Sequence, residues 1–172
     1  MITEVTGDIL LSTSQAIAHG VAPGDHFDRG LALALRQQHP AMAKDFRHYI
    51  SQCHPKPGEL WEWGGVGGVR IFCLMTQVDE TGHGGKPGPA TEATVNHCLR
   101  RLRHELDKGH IRSLALPKLA TGVGGLSWHR VLPLIQNHLG DSAVPIAVYS
   151  HYEKGTAAVE PRPEFHPNGR EL

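Results

Sequence analysis

The sequence predicts an α/β fold of three layers, with a mixed central sheet between helices. Three observations predict it. Short apolar runs of strand length alternate with longer stretches of helical period. Glu59–Trp63 and Val69–Met75 read as strands joined by a glycine-rich hairpin. A second glycine cluster, Gly122, Gly124 and Gly125, sits between an apolar run and an amphipathic one, as a strand-to-helix turn would.

The elements follow in chain order. Ile2–Val5 alternates and stops at Thr6-Gly7-Asp8, a strand and a turn. Ala16–Val21 is an apolar run and reads as a buried strand. Residues 22–30 are rich in Gly, Pro and Asp and read as a loop. Leu31–Gln38 is helical in composition and stops at Pro40. Ala41–Cys53 carries Met42, Phe46 and Ile50 at helical spacing. Thr76–Pro89, with its glycines and prolines, reads as a loop. Ala90–Leu106 places Val95, Cys98, Leu99, Leu102 and Leu106 on one helical face. Ser113–Leu116 is a strand, Trp128–Leu139 a helix and Val144–Tyr149 the last strand. Residues 1–152 form one domain. Residues 153–172 are a polar, proline-containing tail that predicts loose order.

Bulk composition narrows the function. The chain has 172 residues, 40% of them hydrophobic and 20% charged, which is enough for one packed core. Its formal net charge is zero, so the broad basic footprint of a nucleic-acid-wrapping protein is missing. Arg100, Arg101 and Arg103 form a local basic run, which reads as a solvated helix face. A nucleic acid whose modified group alone enters a site stays compatible with that charge. Cys53, Cys73 and Cys98 make no CxxC pair, which suits a reducing compartment. The 13 histidines are scattered, with no HExxH, so no metal site is expected. The first residues lack the pattern of a secretory leader, and no apolar run reaches spanning length. A cytoplasmic monomer without a membrane partner is the expectation.

The run Pro117–Trp128 carries the strongest functional signal. A glycine-rich turn between strand and helix turns main-chain N–H groups toward one point, and the helix N-terminus after it adds its positive end. In open α/β sheets the ligand sits at the carboxyl ends of the strands. The turns at Gly7-Asp8, residues 22–30, residues 76–89 and residues 121–126 are therefore expected to share one site.

Four stretches, in their order and spacing, resemble the macrodomains, the fold that binds ADP-ribose. They are Thr6-Gly7-Asp8-Ile9, Ile17-Ala18-His19-Gly20, Phe27–Ala32 and Leu116–Trp128. Within that fold the chain is most similar to the class of the terminal ADP-ribose protein glycohydrolase and the bacterial DNA ADP-ribosyl glycohydrolase antitoxins. The yeast ADP-ribose-1''-phosphate phosphatase lies nearby. The resemblance spans roughly Ile2 to Tyr149. It implies ADP-ribose, or an ADP-ribosylated protein, nucleic acid or small molecule, as the partner, with no cofactor. It implies that Asp8 accepts from the adenine amino group beside Ile9, although Asp also serves turns and helix caps. Tyr149 and Ser150 line the adenine pocket, with plain packing as the alternative for Tyr149. The loop Thr121, Gly122, Val123, Gly124, Gly125 and Leu126 cradles the diphosphate. Gly30 and its loop close over the diphosphate and distal ribose. Phe27 packs on that ribose or anchors the loop in the core.

Two departures bear on catalysis. A lysine of the glycohydrolase class is replaced by Gln77, whose carboxamide is no nucleophile. An aspartate of the protein glycohydrolases is replaced by Gly124. Asp28 and His19 are the candidates to act instead, Asp28 on a water and His19 as an acid or base near neutral pH. Asp28 as a helix cap and His19 as a buried structural residue are the alternatives. Asp25 and His26 are further loop candidates, and His83 or Lys86 could swing over the site from the glycine-flanked segment. The readings left open are a lysine-independent ADP-ribosyl hydrolase, the phosphatase, a non-catalytic reader and a macrodomain retuned to another nucleotide.

Overall fold

A computed structural model of the protein describes residues 1–81 and 85–162. Twelve strands and helices follow in order: β1 (Ile2–Gly7), β2 (Ala16–Gly20), α1 (Gly30–Gln38), α2 (Pro40–Cys53), β3 (Leu60–Gly64), β4 (Arg70–Leu74), β5 (Gln77–Asp79), β6 (Pro87–Ala90), α3 (Glu92–Asp107), β7 (Leu114–Pro117), α4 (Trp128–Leu139) and β8 (Ile146–Tyr152). The α/β/α expectation and its mixed sheet hold.

The main sheet has six strands in the order β1-β8-β7-β2-β4-β3. Every pair is parallel except β3 on β4, the expected hairpin, which turns through a short 3-10 segment at Val66–Gly68. Five strands therefore end at one edge, and the loops leaving β1, β2, β4, β7 and β8 meet there. Alternation along each strand sorts side chains between the two faces. Ala16, Ala18, Phe72, Leu74, Leu114 and Leu116 pack toward α3 and α4 with Val95, Leu99, Val131 and Ile135. Ile71 and Cys73 pack the other way, against Leu35 of α1 and Met42 and Phe46 of α2. At about 25 cal/mol per Å² of apolar surface, these two layers are the main stabilising contribution.

Two segments differ from expectation. Residues 76–90 are not a plain loop: β5 and β6 pair as a separate antiparallel ribbon. Its glycines and prolines hid it, because a short edge ribbon tolerates proline where the missing N–H faces outward. The tail is also not loose throughout. Residues 153–160 fold back along β1, with Asp8 N–H donating to Thr156 O at 2.7 Å and Ala158 packed beside Val5 and Tyr149. Glu160 then closes the strap. Its carboxylate accepts from the Ser12 and Ser14 hydroxyls, both at 2.8 Å, and from Thr13 N–H at 2.8 Å. Composition alone could not show that a single glutamate finds a nest of three hydroxyl residues far away in sequence.

Candidate functional site

The carboxyl edge of the sheet holds two adjoining cavities. The larger, of about 630 Å³, is lined by Asp8, Ile9, Leu31, Tyr149, Ser150 and Tyr152 among others. The smaller, of about 310 Å³, is lined by His19, Asp25, Arg29, Gln77, Val123 and Gly124 among others. Gly30, Leu31, Pro117, Lys118 and Gly122 border both. The first turn of α1 and the turn after β7 thus meet where the cavities join.

In the larger cavity, Asp8 is buried at the end of β1. Its Oδ1 accepts from Leu10 N–H, capping the 3-10 turn Ile9–Leu11, and its Oδ2 accepts from Gly155 N–H, each at 3.0 Å. The cap reading is therefore correct, and the position on the cavity wall stands beside it. The carboxylate keeps further lone pairs for a ligand. Tyr149 and Ser150 are consecutive yet line the same cavity. Successive strand residues normally face opposite sides. Here Val5 pairs with Tyr149 while Thr6 pairs with His151, so Ser150 is the extra residue of a β-bulge that re-aims it. Burial pushes the Tyr149 phenol up to about 12, with Ser12 opposing and Glu160 and Asp8 adding to it. The phenol is a neutral donor at physiological pH. Tyr152, half out in solvent, completes the wall and was missed, although an aromatic at a strand end is the signal for it.

At the junction, Thr121, Gly122, Val123 and Gly124 line the cavities as expected. Gly125 and Leu126 do not. Their N–H groups are spent inside the turn, on Gly122 O and Ala120 O, each at 3.0 Å. The N–H groups of Gly122, Val123 and Gly124 have no partner among the described residues and are the ones left to meet an anion. Gly124 has no room for a side chain, since a Cβ there would stand 2.6 Å from Ala120 O. The helix that offers its N-terminus is α1, not α4: Gly30, Leu31 and Ala32 line the smaller cavity, and no side chain caps that end. Lys118, on both cavities, and Arg29, on the smaller one, add positive charge.

In the smaller cavity the structure redistributes the candidate roles. Asp28 is exposed and turned to Arg36 of α1, its Oδ1 2.9 Å from the guanidinium, and lines neither cavity. It is not a cap either, since Arg29 holds that position. Phe27 is a core anchor: fully buried, at φ 57°, stacked on Phe46 with ring centroids 4.8 Å apart. It is absent from both walls, which corrects the ribose-packing expectation. His19 does border the smaller cavity, but only 2% of it is exposed, and its Nε2 lies 3.3 Å from Cys73 Sγ. Burial pulls its imidazole down to about 4, so it is neutral at pH 7 and not the near-neutral acid expected.

The carboxylate that reaches this cavity is Asp25. Its Oδ1 accepts from Phe27 N–H at 2.9 Å and its Oδ2 from Ala22 N–H at 3.2 Å. The β5–β6 ribbon clamps its loop: Gly24 N–H donates to Asp79 at 2.7 Å and His26 N–H to Gly85 O at 2.9 Å. Gln77, the lysine replacement, is buried on the wall of the same cavity, and its Nε2 donates to Gly88 O at 2.9 Å. Thr76 is fully buried beside Gly20, where any Cβ would come within 2.6 Å of its hydroxyl. Lys86 is exposed on the ribbon turn and borders neither cavity; His83 lies outside the described residues. Away from the site, donor atoms of Glu62, Glu105 and His110 lie within 4.8 Å of one another, with Arg70 and Lys108 against the two carboxylates. No helix of the described residues is long and apolar enough to cross a membrane.

The Macro domain family model matches residues 26–135. A DNA ADP-ribosyl transferase–DNA ADP-ribosyl glycohydrolase fusion protein of Thermosipho africanus is 37% identical over 71 residues, and the match spans 41% of this chain but 18% of that relative. The macrodomain of Thermus aquaticus DarG superposes with a TM-score of 0.75 at 24% identity, covering 87% of this chain and 98% of the other. Thermosipho africanus DarTG in complex with ADP-ribose superposes with a TM-score of 0.77 at 20% identity, covering 91% of this chain and 42% of the other. The structural likenesses establish the shared fold.

Proposed function

The chain belongs to the Macro domain family, and from that footing we propose that its cleft binds ADP-ribose and that the protein hydrolyses the bond between the distal ribose and a carrier. One observation carries the binding reading: two cavities joined at a glycine turn and a helix N-terminus. Adenosine fits the larger cavity, with Asp8 accepting from the adenine amino group and Tyr149 and Tyr152 along the wall. The diphosphate meets the free N–H groups of Gly122, Val123 and Gly124, the first turn of α1, and Lys118. The distal ribose enters the smaller cavity between Asp25 and Gln77.

Hydrolysis is supported by the relatives named for it and by a carboxylate in the ribose cavity. It runs without the family's lysine, since Gln77 offers no nucleophile. The relative named for DNA ADP-ribosyl glycohydrolase makes ADP-ribosylated DNA the first substrate to test. Incubation with ADP-ribosylated single-stranded DNA, ADP-ribosylated protein and ADP-ribose-1''-phosphate checks it, with release of free ADP-ribose from one of the first two expected. Binding of ADP-ribose with no release from either leaves the second reading, a reader, which Gln77 and Gly124 favour. The phosphatase reading, which drew on His19 and the His83–Lys86 segment, loses support, because the His19 ring is buried and neutral and Lys86 borders neither cavity.

A further inference from the structure

We propose that Asp25 is the general base of this site, activating the attacking water, and that Gln77, on the wall of the same cavity, holds that water. The inference rests on the hydrolase reading above. Both side chains border the 310 Å³ cavity. Each is fixed there by bonds that leave an acceptor over. Gln77 donates one amide hydrogen to Gly88 O, which orients its Oε1, and it lies near Gly20 on the cavity wall. Asp25 spends one lone pair of each oxygen on the main chain and keeps the others.

The bland reading makes Asp25 a turn residue. An asparagine would serve Phe27 N–H without burying a charge, at the loss of the longer bond from Ala22 N–H. Burying a carboxylate costs free energy unless it is paired, and among the described residues Asp25 has no ion pair. Its surroundings also favour a base over a spectator. Burial raises its pKa, the N–H groups of Phe27 and Ala22 oppose that, and the charges of Asp79 and Asp28 add to it. A carboxylate raised in this way is better matched to proton transfer near neutral pH. The other groups facing it are His19, neutral above about 4, Cys73, whose thiol burial pushes up, and Arg29 on the wall.

Water oxygen bonds to the anomeric carbon of the distal ribose as the bond to the carrier breaks. The bonding pair leaves with the carrier atom. Asp25 takes one proton from the water and passes it to the carrier, so that free ADP-ribose and the protonated carrier result. Asp25 returns to its ionised form.

Asp25→Asn is the test, since it keeps the acceptor for Phe27 N–H. The expected result is ADP-ribose affinity within about threefold of wild type, with kcat lower by about 100-fold or more. The wild-type kcat should rise with pH along a single limb above the ordinary carboxylate range, and that limb should be missing from the variant. Gln77→Leu should lower kcat more than it raises KM. Turnover by Asp25→Asn within fivefold of wild type overturns the proposal. If that variant does not fold, a flat wild-type pH profile overturns it instead. Wild type that binds ADP-ribose and releases none from modified DNA or protein also overturns it, while leaving the binding reading intact. Wild type that does not bind ADP-ribose contradicts the function proposal itself.

Discussion

Gly155 donates its main-chain N–H to Asp8 Oδ2 across 3.0 Å, joining a residue on the wall of the larger cavity to a segment 147 positions later in the chain. The same strap runs on to Glu160, which is held by Ser12, Thr13 and Ser14 just beyond the turn that Asp8 caps. The cavity wall is therefore built from both ends of the described chain, and binding should depend on the strap.

Glu160→Ala should weaken ADP-ribose binding severalfold and expose residues 153–162 to protease without unfolding the sheet. Burial opposes ionisation of Glu160, but hydrogen bonds from Ser14, Thr13 and Ser12 outweigh it and hold the carboxyl below its ordinary value of 4.5. The strap's contribution is thus complete above pH 4.5 and is lost as pH falls below it. Limited proteolysis across that range checks this; equal protease resistance in the variant and wild type would contradict it.

Asp8→Ala should cost about 1.5–3 kcal/mol of ADP-ribose binding, roughly 10- to 150-fold. It also removes a cap, worth about 1 kcal/mol of stability. Asp8→Asn isolates the cap, because it retains an acceptor for Leu10 N–H while losing the charge and the bond from Gly155 N–H. Its melting temperature should stay near wild type while affinity falls. Unchanged affinity in both variants would remove Asp8 from adenine recognition.

Gly122 and Gly124 should respond differently to alanine. At Gly122 no heavy atom lies within 4 Å of an added Cβ, so Gly122→Ala should fold normally and lose affinity by filling the anion cradle. At Gly124 the Cβ meets Ala120 O at 2.6 Å, so Gly124→Ala should lose stability as well. Paired calorimetry and thermal melts distinguish them. Equal melting temperatures for both would contradict the geometry.

The layer order, the hairpin and the junction turn were legible because each has a local signature: strand and helix periods, and glycines bunched at Gly64–Gly68 and Gly122–Gly125. The ends of individual side chains were not. Asp25 and Asp28 are three positions apart in one polar loop, and nothing local says that one turns inward. Phe27 settles it by anchoring in the core with its N–H on Asp25, while Arg36, one helix away, draws Asp28 out. Ser150 needed the bulge, a property of the pairing with β1 and not of β8 alone. Glu160 needed a partner nest whose residues are near only after folding.

Asp28→Ala should therefore change stability by less than about 0.5 kcal/mol and leave ligand affinity and turnover unchanged, as expected for an exposed ion pair. Loss of turnover would restore it as a site residue.

His19 should set part of the acid sensitivity. Its folded value of about 4 lies below the 6.5 of an exposed imidazole, so the unfolded state takes up a proton first as pH falls. Stability attributable to His19 is complete above pH 6.5 and declines from there to pH 4, by about 3 kcal/mol at about 1.4 kcal/mol per pH unit. NMR titration should show one imidazole still neutral at pH 5. Titration of His19 near 6.5 would contradict its burial.

The most direct measurement of the central claim is calorimetric titration of the protein with ADP-ribose and, separately, with ADP. The cleft predicts one site, micromolar affinity near −8 kcal/mol for ADP-ribose, and weaker binding of ADP, which leaves the Asp25–Gln77 cavity empty. Equal affinity for the two would mean that the smaller cavity takes no ribose, and no binding of either would contradict the account.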